Sequence, residues 1–126
     1  MDYSVLHCHV TVRLMEKGRA LGPGVVQVLE GIRQYGSLQG AARSMEMSYT
    51  KAWTILKHAE HIWGFPLTHR YVGGKEGGRS VLTAEAEDLL TKFQAIVTAA
   101  DEAAEAEFQR QFNPDTIAAL QEQRKR

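Results

Sequence analysis

The chain has 126 residues, 44% of them apolar and 24% charged, which is the size and balance of one ordinary globular domain. Its single cysteine, Cys8, excludes an internal disulfide and any cysteine-pair zinc site, and points to a reducing, cytoplasmic setting. No run approaches the ~18 apolar residues of a membrane span, and the opening residues alternate rather than form a signal-peptide block. The net charge of zero hides an asymmetry: residues 1–82 hold ten Lys/Arg against six acids, a net of +4, and all five histidines. Residues 83–126 hold five Lys/Arg against nine acids, a net of −4. A basic front and an acidic back suit a protein that meets a polyanion with one face.

In chain order, residues 4–14 alternate with a period of two. Leu6, Cys8, Val10, Val12 and Leu14 share an apolar face, which predicts a strand buried on one side. Gly18 marks a turn, with Arg19–Leu21 as a short returning arm. Pro23 suits the first turn of a helix carrying Val25, Val28, Leu29 and Ile32, and Gly36 is placed to end it. Ser37 then caps a short helix, Leu38–Met45, whose small residues Ala41 and Ala42 allow close packing. After a break at Glu46–Met47, Ser48 caps a third helix, Tyr49–Trp63, ended by Gly64 and Pro66. Leu67–Val72 and Ser80–Thr83 predict a hairpin whose tip, Gly73–Arg79, is glycine-rich and basic. Thr83 caps a long helix from Ala84 to about Phe112; Asn113–Asp115 breaks it, and residues 113–126 form a short helix or tail.

Helix, short helix, tight turn, capped helix and hairpin is the layout of a winged helix-turn-helix, in a mainly α chain with a small β-hairpin wing. The third helix commits Ala52, Ile55, Leu56, Ala59 and Ile62 to a core. Thr50, Lys51, Thr54 and Lys57 are left outward, where hydroxyls and amines reach the phosphates and base edges of double-stranded DNA. Lys75 and Arg79 stand at the wing for the flanking backbone. Trp53, one step off the apolar face, packs at the edge of the core or against the wing. In the last helix Ala86, Leu89, Phe93, Ile96, Ala100 and Ala103 recur at spacings of three and four, widened by Leu90, Val97 and Ala104. This predicts a helix–helix seam, packed within the chain on one face and, along the distal part of the helix, against a second copy in a homodimer.

Other chemistries find little support. His58 and His61 sit three apart, but no further ligands complete a metal set, and no cofactor is expected. The Gly73–Gly78 loop lacks the Gly-Lys-Ser/Thr ending of a nucleotide-binding loop. No nucleophile or paired-carboxylate pattern points to an enzyme. Two further classes stay open: a protein-interaction module on the same scaffold, for which exposed Leu, Phe or Tyr on the third helix would speak, and a small-ligand sensor.

Gly22-Pro23-Gly24, Gly36-Ser37-Leu38-x-x-Ala41-Ala42 and Met47-Ser48-Tyr49-x-x-Ala52-Trp53 together resemble the N-terminal DNA-binding domain of the ModE family, the molybdate-responsive transcription regulators with a helix-turn-helix of LysR type. Gly64-Phe65-Pro66-Leu67 and Gly73-Gly74-Lys75-x-Gly77-Gly78-x-x-x-Leu82-Thr83 extend the resemblance over roughly residues 3–112. It implies a DNA-binding domain over 1–112, including a dimerisation helix at about 84–112. It also implies a recognition helix meeting DNA through Ser48, Tyr49, Thr50, Lys51 and Thr54, a wing at Gly73–Arg79, and phosphate contacts from Ser37, Gln39 and Arg43. A full regulator of this kind continues into β-barrel molybdate-binding modules. This chain reads as a stand-alone form without them or as a fragment of a longer protein, and the stand-alone form leaves room for a separate effector-binding protein as partner.

Overall fold

The structure, a computed structural model, describes residues 6–72 and 78–125. Its regular elements run β1 (Leu14–Met15), β2 (Arg19–Leu21), α1 (Pro23–Tyr35), α2 (Leu38–Ser44), α3 (Tyr49–Trp63), β3 (Thr68–Tyr71), β4 (Arg79–Leu82), α4 (Ala84–Gln111) and α5 (Pro114–Lys125). The chain is mainly helical, with two small antiparallel sheets. Thr11–Gln94 makes one compact unit; the described parts of Met1–Val10 and Ala95–Arg126 make a second.

The strand expected over 4–14 is corrected. Ser4 and Val5 lie outside the described residues; among residues 6–15 only Leu14 and Met15 pair, with Leu21 and Arg19 of β2, across a turn in which Lys17 and Gly18 take positive φ. Residues 6–13 carry no ladder, although the alternation survives in part: Val10, Val12 and Leu14 are half-buried while His9, Thr11 and Arg13 are exposed. Apolar alternation selects a face but does not by itself make a ladder.

The larger unit is held together by α1. Val25, Val28, Leu29 and Ile32 are buried along its inner side, joined by Leu21 of β2 and Leu67 before β3. Pro23 opens the helix; Gly36, at φ 74°, closes it with its N–H donated to the Ile32 carbonyl at 2.8 Å. Gly31 lets α2 come close. A Cβ there would stand 2.7 Å from the Ala41 Cβ and 2.9 Å from the Ala41 Cα, so only hydrogen fits between the two backbones. Ala86, Leu90 and Phe93 of α4 belong to this unit and are also buried.

The ends of the hairpin β3–β4 are tied down. Thr68 pairs with Leu82 and Tyr71 with Arg79. The Ser80 N–H donates to the Gly36 carbonyl at 2.8 Å, and the Thr83 N–H to that of Leu67 at 3.1 Å. Thr83 also caps α4 through its hydroxyl, which accepts from the Ala86 N–H at 3.1 Å.

In the second unit, α4 continues to Gln111, and α5 follows a cap in which the Asn113 side chain accepts from the Thr116 N–H at 3.0 Å. α5 buries no residue. Phe108 and Phe112 stack at 5.6 Å between ring centres. No helix among the described residues is long and apolar enough to cross a membrane.

Candidate nucleic-acid interface

The candidate site is built from α2, the four residues Met45–Ser48, and α3. Ala41 and Ala42 sink one side of α2 into the core, leaving Gln39 and Arg43 exposed on the other. The connection turns sharply because Glu46 adopts φ 54°, a left-handed conformation uncommon for a residue with a side chain. The Met47 N–H then donates back to the Ala42 carbonyl at 3.0 Å. Both helices start on serine caps. The Ser37 hydroxyl accepts from the Gly40 N–H at 2.9 Å and that of Ser48 from the Lys51 N–H at 3.1 Å. The two serines are therefore engaged in shaping the chain, which is their chief visible role.

Along α3, Ala52, Leu56 and Ala59 are buried. The opposite side is exposed and carries Thr50, Lys51, Thr54 and Lys57, as the helical spacing predicts. Tyr49 and Trp53 are about half exposed, at 52% and 47%. Thr54 donates its hydroxyl proton to the Thr50 carbonyl at 2.9 Å, which leaves the oxygen's lone pairs facing outward as acceptors. Lys51 forms no ion pair among the described residues. With no acid in the first turn of α3, the positive dipole end of the helix has no carboxylate of that turn beside it.

Lys57 differs from its neighbours. Its ammonium pairs with the Glu60 carboxylate at 3.1 Å and lies 6.0 Å from the centre of the Trp53 ring. The helical spacing showed that Lys57 faces outward, but not that the acid one turn later would engage it.

On the hairpin, Arg79 is exposed on β4. Lys75 and the rest of Gly73–Gly77 lie outside the described residues. Arg70, also exposed on β3, was missed by the motif reading; its place in the alternation of Thr68–Tyr71 was the available signal. His69 and Tyr71, on the other face of the same strand, meet edge-on at 4.7 Å.

Behind the hairpin, Arg33 of α1 and Glu87 of α4 form a two-pronged ion pair at 3.2 and 2.5 Å. The hydrogen bond to Glu87 pushes the Arg33 guanidinium above its ordinary value, and desolvation opposes the shift. Both side chains are nearly half exposed, so the pair contributes on the order of 0–1 kcal/mol.

Of Leu89, Phe93, Ile96, Ala100 and Ala103 in the expected dimer seam, Phe93 is the most deeply buried. It is 6% exposed within its own chain and serves the core. A spacing of three and four marks an apolar stripe and does not say which chain covers it. Leu89 and Ala100 are half-buried, while Ile96 and Ala103 are exposed. Among the described residues no group of three or more His, Cys, Asp or Glu stands together as a metal site.

The chain is 36% identical over 87 residues to the transcriptional regulator ModE of Haemophilus influenzae, a match covering 69% of this chain and 34% of that protein. It is 34% identical over 89 residues to the molybdenum-pterin-binding protein MopB of Rhodobacter capsulatus, covering 71% of this chain and 33% of that one. The molybdenum transport protein ModE of Azotobacter vinelandii is 30% identical over 79 residues, or 63% of this chain and 29% of its own. These matches support a relation to the ModE family. The chain spans about a third of the length of the ModE-type relatives it matches, and no protein-family model matches it. The names of these relatives describe regulation, transport and pterin binding rather than an enzyme activity.

Proposed function

We propose that the chain is a sequence-specific DNA-binding transcription regulator of the winged-helix kind, concerned with molybdenum-related genes and acting as a homodimer. The observation that carries the reading is the outer side of α3. Past a tight turn, a capped helix offers Thr50, Lys51 and Thr54 to solvent with no acid in its first turn. In this reading α3 enters the major groove, about 12 Å wide. Tyr49 and the threonine hydroxyls reach base edges or phosphates, and Gln39 and Arg43 of α2 reach the backbone. Arg79, with Lys75, lies against the flanking strand. The DNA-binding domain is 1–112, with 113–126 as an appendage. The partner chain pairs along α4 at the half-buried Leu89 and Ala100 and the exposed Ile96 and Ala103, setting two copies of α3 about 34 Å apart. The names of the relatives supply the link to molybdenum.

Fluorescence anisotropy at ~150 mM salt, with duplex from the protein's own upstream region and a scrambled duplex, tests it. A preference of ~10³ or more for the native sequence is expected. Lys51→Ala lowers the dependence of log affinity on log salt by about one on both duplexes, as loss of one phosphate contact requires. Absence of binding to either duplex would overturn the reading in favour of a protein-interaction module. Molybdate added to the same sample tests whether the chain responds to the oxyanion.

A further inference from the structure

We infer that Glu60 is a positioning residue that fixes the hairpin against α3, so that the two DNA-facing surfaces act as one. Glu60 lies on the flank of α3, and its side chain is only 13% exposed. One carboxylate oxygen accepts the Leu67 N–H at 2.7 Å; the other pairs with Lys57 at 3.1 Å. Leu67 is fully buried and immediately precedes β3, so its N–H has little access to water if Glu60 withdraws. A buried donor left unpaired is costly, and the carboxylate's own charge would be costly without Lys57 beside it. The chain Lys57–Glu60–Leu67 therefore links the outer flank of α3 to the base of the hairpin. The Leu67 carbonyl continues it by accepting the Thr83 N–H at 3.1 Å.

The link matters because Arg79 rides on the hairpin while Thr50, Lys51 and Thr54 ride on α3. Two contacts on one duplex reinforce each other when their separation is fixed in advance, since neither pays to be ordered after the other has formed. Lys57, an expected DNA contact, is accordingly the counter-ion of the brace.

The inference rests on the DNA-binding reading, and its test separates the two. Glu60→Asp keeps the charge but withdraws the carboxylate from Leu67; Glu60→Gln keeps both reach and an acceptor oxygen. Native-duplex affinity is measured for the unaltered chain, both Glu60 variants, Arg79→Ala and the Glu60→Asp/Arg79→Ala double variant, each first checked as folded by thermal melting. Glu60→Asp and Arg79→Ala each weaken binding about tenfold, and the double variant is no worse than about tenfold, because the hairpin contact is lost only once. Glu60→Gln stays within about twofold of the unaltered chain. A double variant weakened by the product of the two single effects would overturn the brace. So would tenfold loss in Glu60→Gln, which also decides the matter if Glu60→Asp does not fold. Absence of sequence preference in the unaltered chain would instead sink the DNA-binding reading itself.

Discussion

At Gly31 the absence of a side chain is a packing requirement. The Cα of Ala41 lies where a Gly31 Cβ would stand 2.9 Å away, and backbone on both sides leaves no flexible group to yield. Gly31→Ala gains up to about 1 kcal/mol of helix propensity. Forcing α1 from α2 costs about 1–3 kcal/mol, so the steric term wins and the variant melts lower. Gly24, near the start of the same helix, has nothing within 4 Å of the corresponding position. Gly24→Ala is therefore expected to melt no lower than the unaltered chain. Thermal unfolding of the two variants side by side checks the pair, and a Gly31→Ala protein as stable as Gly24→Ala would show that the helices can part without cost.

For the helices, the decisive interactions are at their ends. Ser48 alone supplies the side-chain cap of α3, and Ser48→Ala should cost about 1 kcal/mol in denaturant unfolding. If the midpoint does not move, the cap is dispensable. Such ends were legible in the sequence because capping is local chemistry. Ser37, Ser48 and Thr83 as caps, and Gly36 and Gly64 as left-handed stops, stand where their residue types require. The three central helices and the hairpin follow from them. What the local pattern did not announce depends on which side chains and backbone edges meet in the fold. Residues 6–13 have the alternation of a strand, but alternation carries no information about a pairing edge. Lys57 looked like its outward neighbours until Glu60 was seen to turn toward it. The bonds of Ser80 to Gly36 and of Trp63 to Ala20 join residues 44 and 43 positions apart, which no local pattern announces.

For the whole molecule, the burial of Phe93 sets how self-association has to be tested. An acid introduced at Phe93 enters the chain's own core and unfolds it, so loss of a dimer there says nothing about a seam. Ile96, 43% exposed on the same helix, is the informative position. Ile96→Asp is expected to remain folded by circular dichroism and to sediment as a monomer where the unaltered chain sediments as a dimer. A folded Ile96→Asp variant that stays dimeric would move the contact off this side of α4. The charge asymmetry fits the same arrangement. α4 carries Glu85, Glu87, Asp88, Asp101, Glu102, Glu105 and Glu107 against Lys92 and Arg110, so its exposed surface repels the polyanion that α3 would attract.

The two tryptophans give the molecule a built-in pair of optical reporters. Trp63 closes α3 with its indole N–H held by the Ala20 carbonyl at 2.7 Å, so its emission follows the integrity of the fold. Trp53 sits half exposed on the flank of the outer side with an ammonium near its ring, so its emission follows what approaches that side. A spectral change confined to Trp53 therefore means occupancy, and one shared by both means unfolding.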